Sequence, residues 1–184
     1  MLSNATMCRS MVRIESLTAS SPRAILESAR SLFRAYGDFL RVSGEHPGFR
    51  FDRLQEEALD LPAAYEANNG AVLVAVAEEL SIGCIAFREF RECAEQDCCE
   101  IKRLFVLPAY RGSAIGVRLA IAALELAGWR GYQFAYLDTE PLAMAAAHRT
   151  YLKVGFVEYD RRGAGPSSVS FLRKSLVPPT ARRT

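Results

Sequence analysis

Arg111, Gly112, Ser113, Ala114, Ile115 and Gly116 set a guanidinium beside a run of backbone N–H groups, where the pattern turns from strand to helix. The first amides of a helix have no partner inside it, and the helix dipole adds partial positive charge there. Small residues let the main chain approach an anion closely. These groups would cradle a phosphate, with Arg111 as a charge-assisted donor. The same spacing suits a tight turn that only redirects the chain, and spacing alone leaves both readings open. There is no GxxxxGK(S/T) segment and no GxGxxG followed by an acidic residue. A P-loop and a dinucleotide-binding fold are therefore not expected.

Other reactive side chains are less organised. His46 and His148, the two histidines, lie in unrelated segments, so neither a Ser–His–Asp triad nor a metal site is expected. The five cysteines are Cys8, Cys84, Cys93, Cys98 and Cys99, an odd number without a CxxC pair. They read as free thiols rather than a disulfide framework, with Cys93, Cys98 and Cys99 clustered near a hairpin. A nucleophilic Cys98 or Cys99 would have no histidine beside it in sequence. Trp129 follows Gly128 at a helix end and is expected to pack.

The elements that must position these residues follow from periodicity. Residues 11–17 alternate as a first strand, and 20–40 form a helix with a serine cap and Pro22 in its first turn. Ile25, Ala29, Leu32 and Tyr36 share its buried face, and Gly37 ends or bends it. GEHPG, 44–48, is a loop. Phe51, Leu54, Ala58 and Leu61 have helical spacing up to Pro62. AVLVAVAEELSIGCIAFREF, from Ala71, reads as an antiparallel hairpin, and residues 99–107 as a fourth strand. Ile115, Leu119, Ala122 and Leu126 mark a helix that stops near Gly128. A fifth strand, a helix from Thr139 to about Val154, and a strand pair around GAGPSS complete the order. This is an α/β (α+β) chain: a mixed, mostly antiparallel sheet with a central β-α-β unit. With 184 residues, 1–184 is expected to be a single domain with loose ends at 1–10 and 178–184.

The formal charge of +2 is too balanced to argue for nucleic acid or an anionic membrane. The apolar runs are too short to span a bilayer, and the first residues lack a signal core, which points to the cytoplasm.

CEIKRLFVLPAYRGSAIGVRLA resembles the acetyl-CoA-binding core of the GNAT superfamily of N-acetyltransferases, whose signature is (Q/R)xxGx(G/A). Arg111, Ala114 and Gly116 occupy its fixed positions, with alanine where the family has its first glycine. If that position needs a positive φ, the alanine costs roughly 1 kcal/mol and would weaken coenzyme A binding several-fold. LDTEPLAMAAAHRTYLKVGFVEY resembles the later helix and "GF" strand of the family, and GCIAFREF its small-molecule branch. The likeness covers about residues 71–176 and implies helices on both faces of the sheet.

The resemblance implies transfer of an acetyl group from acetyl-CoA, with no metal, to a primary amine of a small molecule such as an amino acid. A homodimer is common among relatives. Residues 111–116 would hold the pyrophosphate. A backbone amide from Phe105, Val106 or Leu107, where the fourth strand splays from the fifth, would face the developing oxyanion. Exposed edge groups there would bind the pantetheine arm like a further strand. Amines near pKa ~10 are mostly protonated at pH 7, so a base is required. Glu100 matches the family's catalytic glutamate, against the reading of a surface carboxylate near Lys102. Tyr151 matches the general-acid tyrosine, against that of an aromatic packed on Ala147 and Phe156. Arg88 or Arg103 would bind a carboxylate on the acceptor, unless they are solvated or paired with Glu89. In a regular strand Lys102 shares the face of Glu100, and Arg103 points away unless a bulge intervenes. Two other readings stand beside this one: a non-catalytic acyl-CoA-binding or sensing module, favoured by Ala114, and an acetyltransferase of protein amines.

Overall fold

The computed structural model describes residues 11–44, 49–93, 95–160 and 168–176. Expectations for the termini, His46, most of GEHPG and most of GAGPSS fall outside these. In chain order the elements are β1 (Arg13–Ser16), α1 (Arg23–Ser43), α2 (Phe51–Leu59), α3 (Ala63–Glu66), β2 (Ala71–Ala77), β3 (Leu80–Glu89) and β4 (Cys98–Val106). Then come α4 (Ile115–Trp129), β5 (Phe134–Thr139), α5 (Ala145–Lys153), β6 (Val157–Glu158) and β7 (Ser170–Ser175). The strands form one sheet ordered β1-β2-β3-β4-β5-β7-β6. Every neighbouring pair is antiparallel except β4 and β5.

AVLVAVA is apolar without alternation because β2 is covered on both faces. Leu73 and Ala75 face the core shared with Leu119 and Ala123 of α4. Val72, Val74 and Val76 face the core shared with Leu32, Phe33 and Tyr36 of α1. The hairpin from β2 to β3 turns on Glu78 and Glu79, both at positive φ, the two-residue turn whose twist matches the strands.

The sheet opens at one place. β4 pairs with β5 only over Cys98–Glu100 against Phe134–Tyr136, yet β4 runs on to Val106. Beyond Glu100 the two strands diverge. β4 also carries a bulge: its register against β3 shifts between Cys84 and Ala86, and Arg103 sits at φ 61°.

Several local expectations need correction. Gly37 does not end α1, which continues to Ser43; a Cβ there would lie 3.1 Å from Leu54 Cδ2, so Gly37 lets α2 approach. No side chain caps α1; Ser21 Oγ instead accepts from the Thr18 amide at 3.0 Å. The helix expected from Thr139 begins only at Ala145. The last strand pair forms, but β7 lies between β5 and β6. Trp129 does not pack: it is 91% exposed on the outer side of the last turn of α4, whose other side buries Ala127. Among the described residues no helix is long and apolar enough to cross a membrane.

Candidate active site

The divergence of β4 from β5 opens a cleft of about 110 Å³. β4 contributes Ile101 to Leu104, and the end of β5 contributes Asp138 and Thr139. Tyr36 and Leu40 of α1, Phe49, Met144 and Tyr151 close the sides.

The bulge decides which charges face this cleft. With Arg103 in the left-handed region, the chain gains a residue on one side, so Lys102 and Arg103 turn to the same face. Arg103 is buried and donates from Nε to Glu57 Oε2 at 2.9 Å, with its guanidinium carbon 5.1 Å from the centre of the Phe49 ring. Glu57 also accepts from the Tyr65 hydroxyl at 2.7 Å. Burial alone would raise the Glu57 carboxyl. The Arg103 hydrogen bond and charge, then Tyr65 and Lys102, outweigh it and hold the group below the ordinary carboxylate range. Arg88 donates to Glu100 at 3.1 Å and stands 3.8 Å from Glu57. Lys102 Nζ donates to the other Glu100 oxygen at 2.8 Å. Burial works against ionised Glu100 too, and the charges and hydrogen bonds of Lys102 and Arg88 overcome it. Three half-buried or buried cations thus stand against two carboxylates, with Arg53 at 3.7 Å from Glu57 on the outer side.

This alters the expected roles. Arg88 and Arg103 pair with Glu100 and Glu57, not with Glu89, which pairs with Arg91. Both Glu100 oxygens are held by cations, and Glu100 is not among the residues lining the cleft.

Beyond β4 a single 3-10 turn, Pro108–Tyr110, leads to the strand-to-helix turn. Gly112 has φ 82°, open to glycine at no cost, and Ala114, the residue before α4, has φ 60° and ψ 10°. The first return bond of α4 is Arg118 N–H to Ala114 O at 3.0 Å. The amides of Gly112, Ser113, Ala114, Ile115, Gly116 and Val117 donate to no carbonyl among the described residues. Ser113 Oγ donates to Tyr110 O at 2.6 Å, which tightens the bend. Arg111 folds back: Nε donates to Val106 O at 3.0 Å, and the guanidinium stacks over Phe39 and Phe105, 4.9 and 5.6 Å from the ring centres. Leu107 N–H donates to Ile82 O of β3 at 2.9 Å, so Leu107 is removed from the expected oxyanion donors. The ladder alternates, and the Val106 amide is turned to the opposite, splayed edge.

Tyr151 lines the cleft from α5 and packs on Phe156, ring centres 5.6 Å apart. Burial pushes its phenol well above the ordinary range, with the charges of Tyr36, Asp138 and Cys84 adding to the shift. Burial likewise raises Tyr36 to about 12.

The cysteines depart from expectation. Cys93 and Cys98 are joined in a disulfide that closes the β3–β4 connection. The turn brings together two thiols whose five-residue separation carries no motif. Cys84 and Cys99 are free and buried, and burial lifts both thiols to about 12, far from a thiolate at neutral pH. Glu95 lies beside the disulfide, its atoms and the two sulfurs within 4.8 Å of one another. With the sulfurs bonded to each other, and Glu95 accepting from Tyr136 at 2.6 Å and Arg173 at 3.4 Å, the trio offers no thiolate to a cation. His148 stands 3.7 Å from Glu158, away from the cleft lining.

Glu57 and Asp138 escaped the sequence reading, which also placed Tyr36 on the buried face of α1 without assigning it to a site. Glu57 carried a signal, since Leu54, Glu57, Ala58 and Leu61 put a carboxylate on the apolar stripe of α2.

Residues 30–156 match the family model described as the acetyltransferase (GNAT) family. An uncharacterized N-acetyltransferase of Schizosaccharomyces pombe is 33% identical over 107 residues, 58% of this chain and 63% of that protein. The match therefore spans less than two thirds of that relative's length. A GNAT-family acetyltransferase of Staphylococcus aureus superposes with a TM-score of 0.70 at 20% identity, over 91% of this chain and 100% of that one. The yncA acetyltransferase of Salmonella typhimurium, solved with its cofactor acetyl-CoA, superposes with a TM-score of 0.67 at 16% identity, over 95% and 99%.

Proposed function

The chain belongs to the acetyltransferase (GNAT) family, and from that premise we propose that it transfers an acetyl group from acetyl-CoA directly to the primary amine of a small molecule. The observation that carries the reading is the row of amides from Gly112 to Val117 at the start of α4 that donate to no carbonyl among the described residues. Such a row, with the positive end of a fifteen-residue helix behind it, binds a diphosphate without a lysine. Val106, at the end of β4, then offers its outward amide to the thioester oxygen as negative charge develops there. Leu107 is bound to β3, and Phe105 serves as a stacking surface for Arg111. Arg111 braces β4 against the turn, and in this reading its remaining guanidinium N–H groups serve the phosphates.

Tyr151 faces the cleft with a phenol held neutral by burial. A neutral phenol positions the sulfur and donates a hydrogen bond to the leaving thiolate. A thiol of pKa ~8.5 needs little more. Glu100 anchors the cationic wall. Lys102 and Arg103 in the cleft lining favour an acceptor that carries a carboxylate, and the cleft volume favours a small one.

A sensing module that binds acyl-CoA without turnover is the second reading, favoured by Ala114. Calorimetry with coenzyme A, followed by thiol release with amino acids, polyamines, aminoglycosides and peptides, separates the two. Binding with turnover supports transfer; binding without it supports the module. No binding removes both.

A further inference from the structure

Amide formation at this cleft requires a group that receives the acceptor's ammonium and takes a proton from its nitrogen. Such a group needs a free lone pair, access to the cleft and no stronger cation already bound. Glu100 fails the first two conditions, because Arg88 and Lys102 hold its oxygens and it is not among the residues lining the cleft. Glu57 fails the last two: it is not among the residues lining the cleft, and it is already paired with Arg103, with Arg53 and Arg88 3.7 and 3.8 Å from its other oxygen.

Asp138 meets all three. It is exposed at the end of β5, where that strand has parted from β4, and it lines the cleft together with Tyr36 and Tyr151. Among the described residues its carboxylate accepts no hydrogen bond and enters no ion pair, although Lys102 and Arg103 line the same cleft and are bound to Glu100 and Glu57 instead. Resting on the acetyl-transfer reading above, we propose that Asp138 is a catalytic residue: it anchors the acceptor's ammonium group and takes the proton that the nitrogen loses as the amide forms.

The ammonium releases one proton to water beside Asp138. The nitrogen lone pair forms the C–N bond at the thioester carbonyl, and the adduct carries N–H⁺ and O⁻. Bonding to the acyl carbon makes that N–H⁺ more acidic than the free ammonium, and its proton passes to the Asp138 carboxylate. The carbonyl reforms, the C–S bond breaks, and the thiolate takes a proton from the Tyr151 hydroxyl or from water. Asp138 and Tyr151 re-equilibrate with solvent, so the net products are amide, coenzyme A thiol and one proton. The groups facing Asp138 are Tyr36 from α1, Lys102 and Arg103 from β4, Tyr151 from α5 and the neighbouring Glu140. Phe171, its partner on β7, is apolar.

The test compares Asp138→Asn, Asp138→Glu and Glu100→Gln with the parent chain, on the best amine from the panel above. Loss of a general base lowers rates about 10²–10⁴-fold. Asp138→Asn is expected to lower kcat/KM for the amine at least a hundredfold. The KM for acetyl-CoA and the melting temperature stay those of the parent, since Asp138 makes no ion pair. Asp138→Glu recovers part of the rate, and Glu100→Gln loses less than tenfold. An Asp138→Asn variant within twofold of the parent overturns this role and leaves the transfer reading intact. A parent chain that binds coenzyme A but acetylates no amine overturns the transfer reading, and this role with it.

Discussion

Replacing Ala114 by glycine should stabilise the protein and leave coenzyme A affinity nearly unchanged. Ala114 sits at φ 60° and ψ 10°, the left-handed region, where an L-residue with a Cβ carries about 1–2 kcal/mol of strain. Its methyl is exposed, so no buried apolar area is lost with it. Glycine widens the unfolded ensemble, which takes back about 0.4–1 kcal/mol. The net gain is about 0.5–1 kcal/mol, or about 1–4 °C in melting temperature for a chain of this length. Gly112→Ala, at φ 82°, is the reciprocal control and should cost about 1 kcal/mol. The strain separates folded from unfolded chain; it is the same with and without ligand if the bend is already formed. Calorimetric Kd for coenzyme A should therefore move less than threefold, not the several-fold that the motif departure alone suggested. Thermal and urea unfolding of the two variants read the stability; titration calorimetry reads the affinity. A lower melting temperature in Ala114→Gly refutes the strain. A tenfold tighter Kd refutes a preformed bend.

Two further outcomes follow from the buried charges. Glu57→Gln leaves the Arg103 guanidinium, 6% exposed, without its counter-charge; the loss of one partner of a buried pair costs about 3–5 kcal/mol, and the retained amide hydrogen bonds hold it near 3, read from urea midpoints at constant slope. Glu57 and Glu100 both titrate lower in the folded chain than the ordinary value near 4.3, so their stabilisation is complete above that pH and is lost as pH falls through the folded values. The stability difference between parent and Glu57→Gln should accordingly be constant from pH 7 to about 5 and shrink below about 4; a difference that grows on acidification contradicts the pairing.

The fold was legible wherever periodicity and burial coincide. Ile25, Ala29, Leu32 and Tyr36 are all buried on one face of α1, as their spacing required. Local rules misled where a tertiary contact overrode them. Gly37 has the look of a helix breaker, yet it is a close-packing position beneath Leu54. Trp129 is the sort of residue that packs, yet it stands on the exposed side of the same last turn that buries Ala127. Cys93 and Cys98 meet only because the β3–β4 turn brings them together.

The binding turn was legible for a reason that does not extend to the rest of the site. Its chemistry is carried by main-chain amides, whose direction follows from a strand, a bend and a helix in succession, and such local order can be read along the chain. The charges in and around the cleft belong to four different elements, and their grouping depends on one residue of irregular backbone. Had β4 been regular, Arg103 would point into the opposite core and Glu57 would be a buried carboxylate with no cation. The left-handed Arg103 and the acidic Glu57 on an apolar stripe therefore require each other. Once that pair forms, Arg88 and Lys102 are drawn to Glu100, and the cations of the cleft are all satisfied by side chains other than Asp138. The bulge is what leaves the carboxylate at the end of β5 available to an incoming amine.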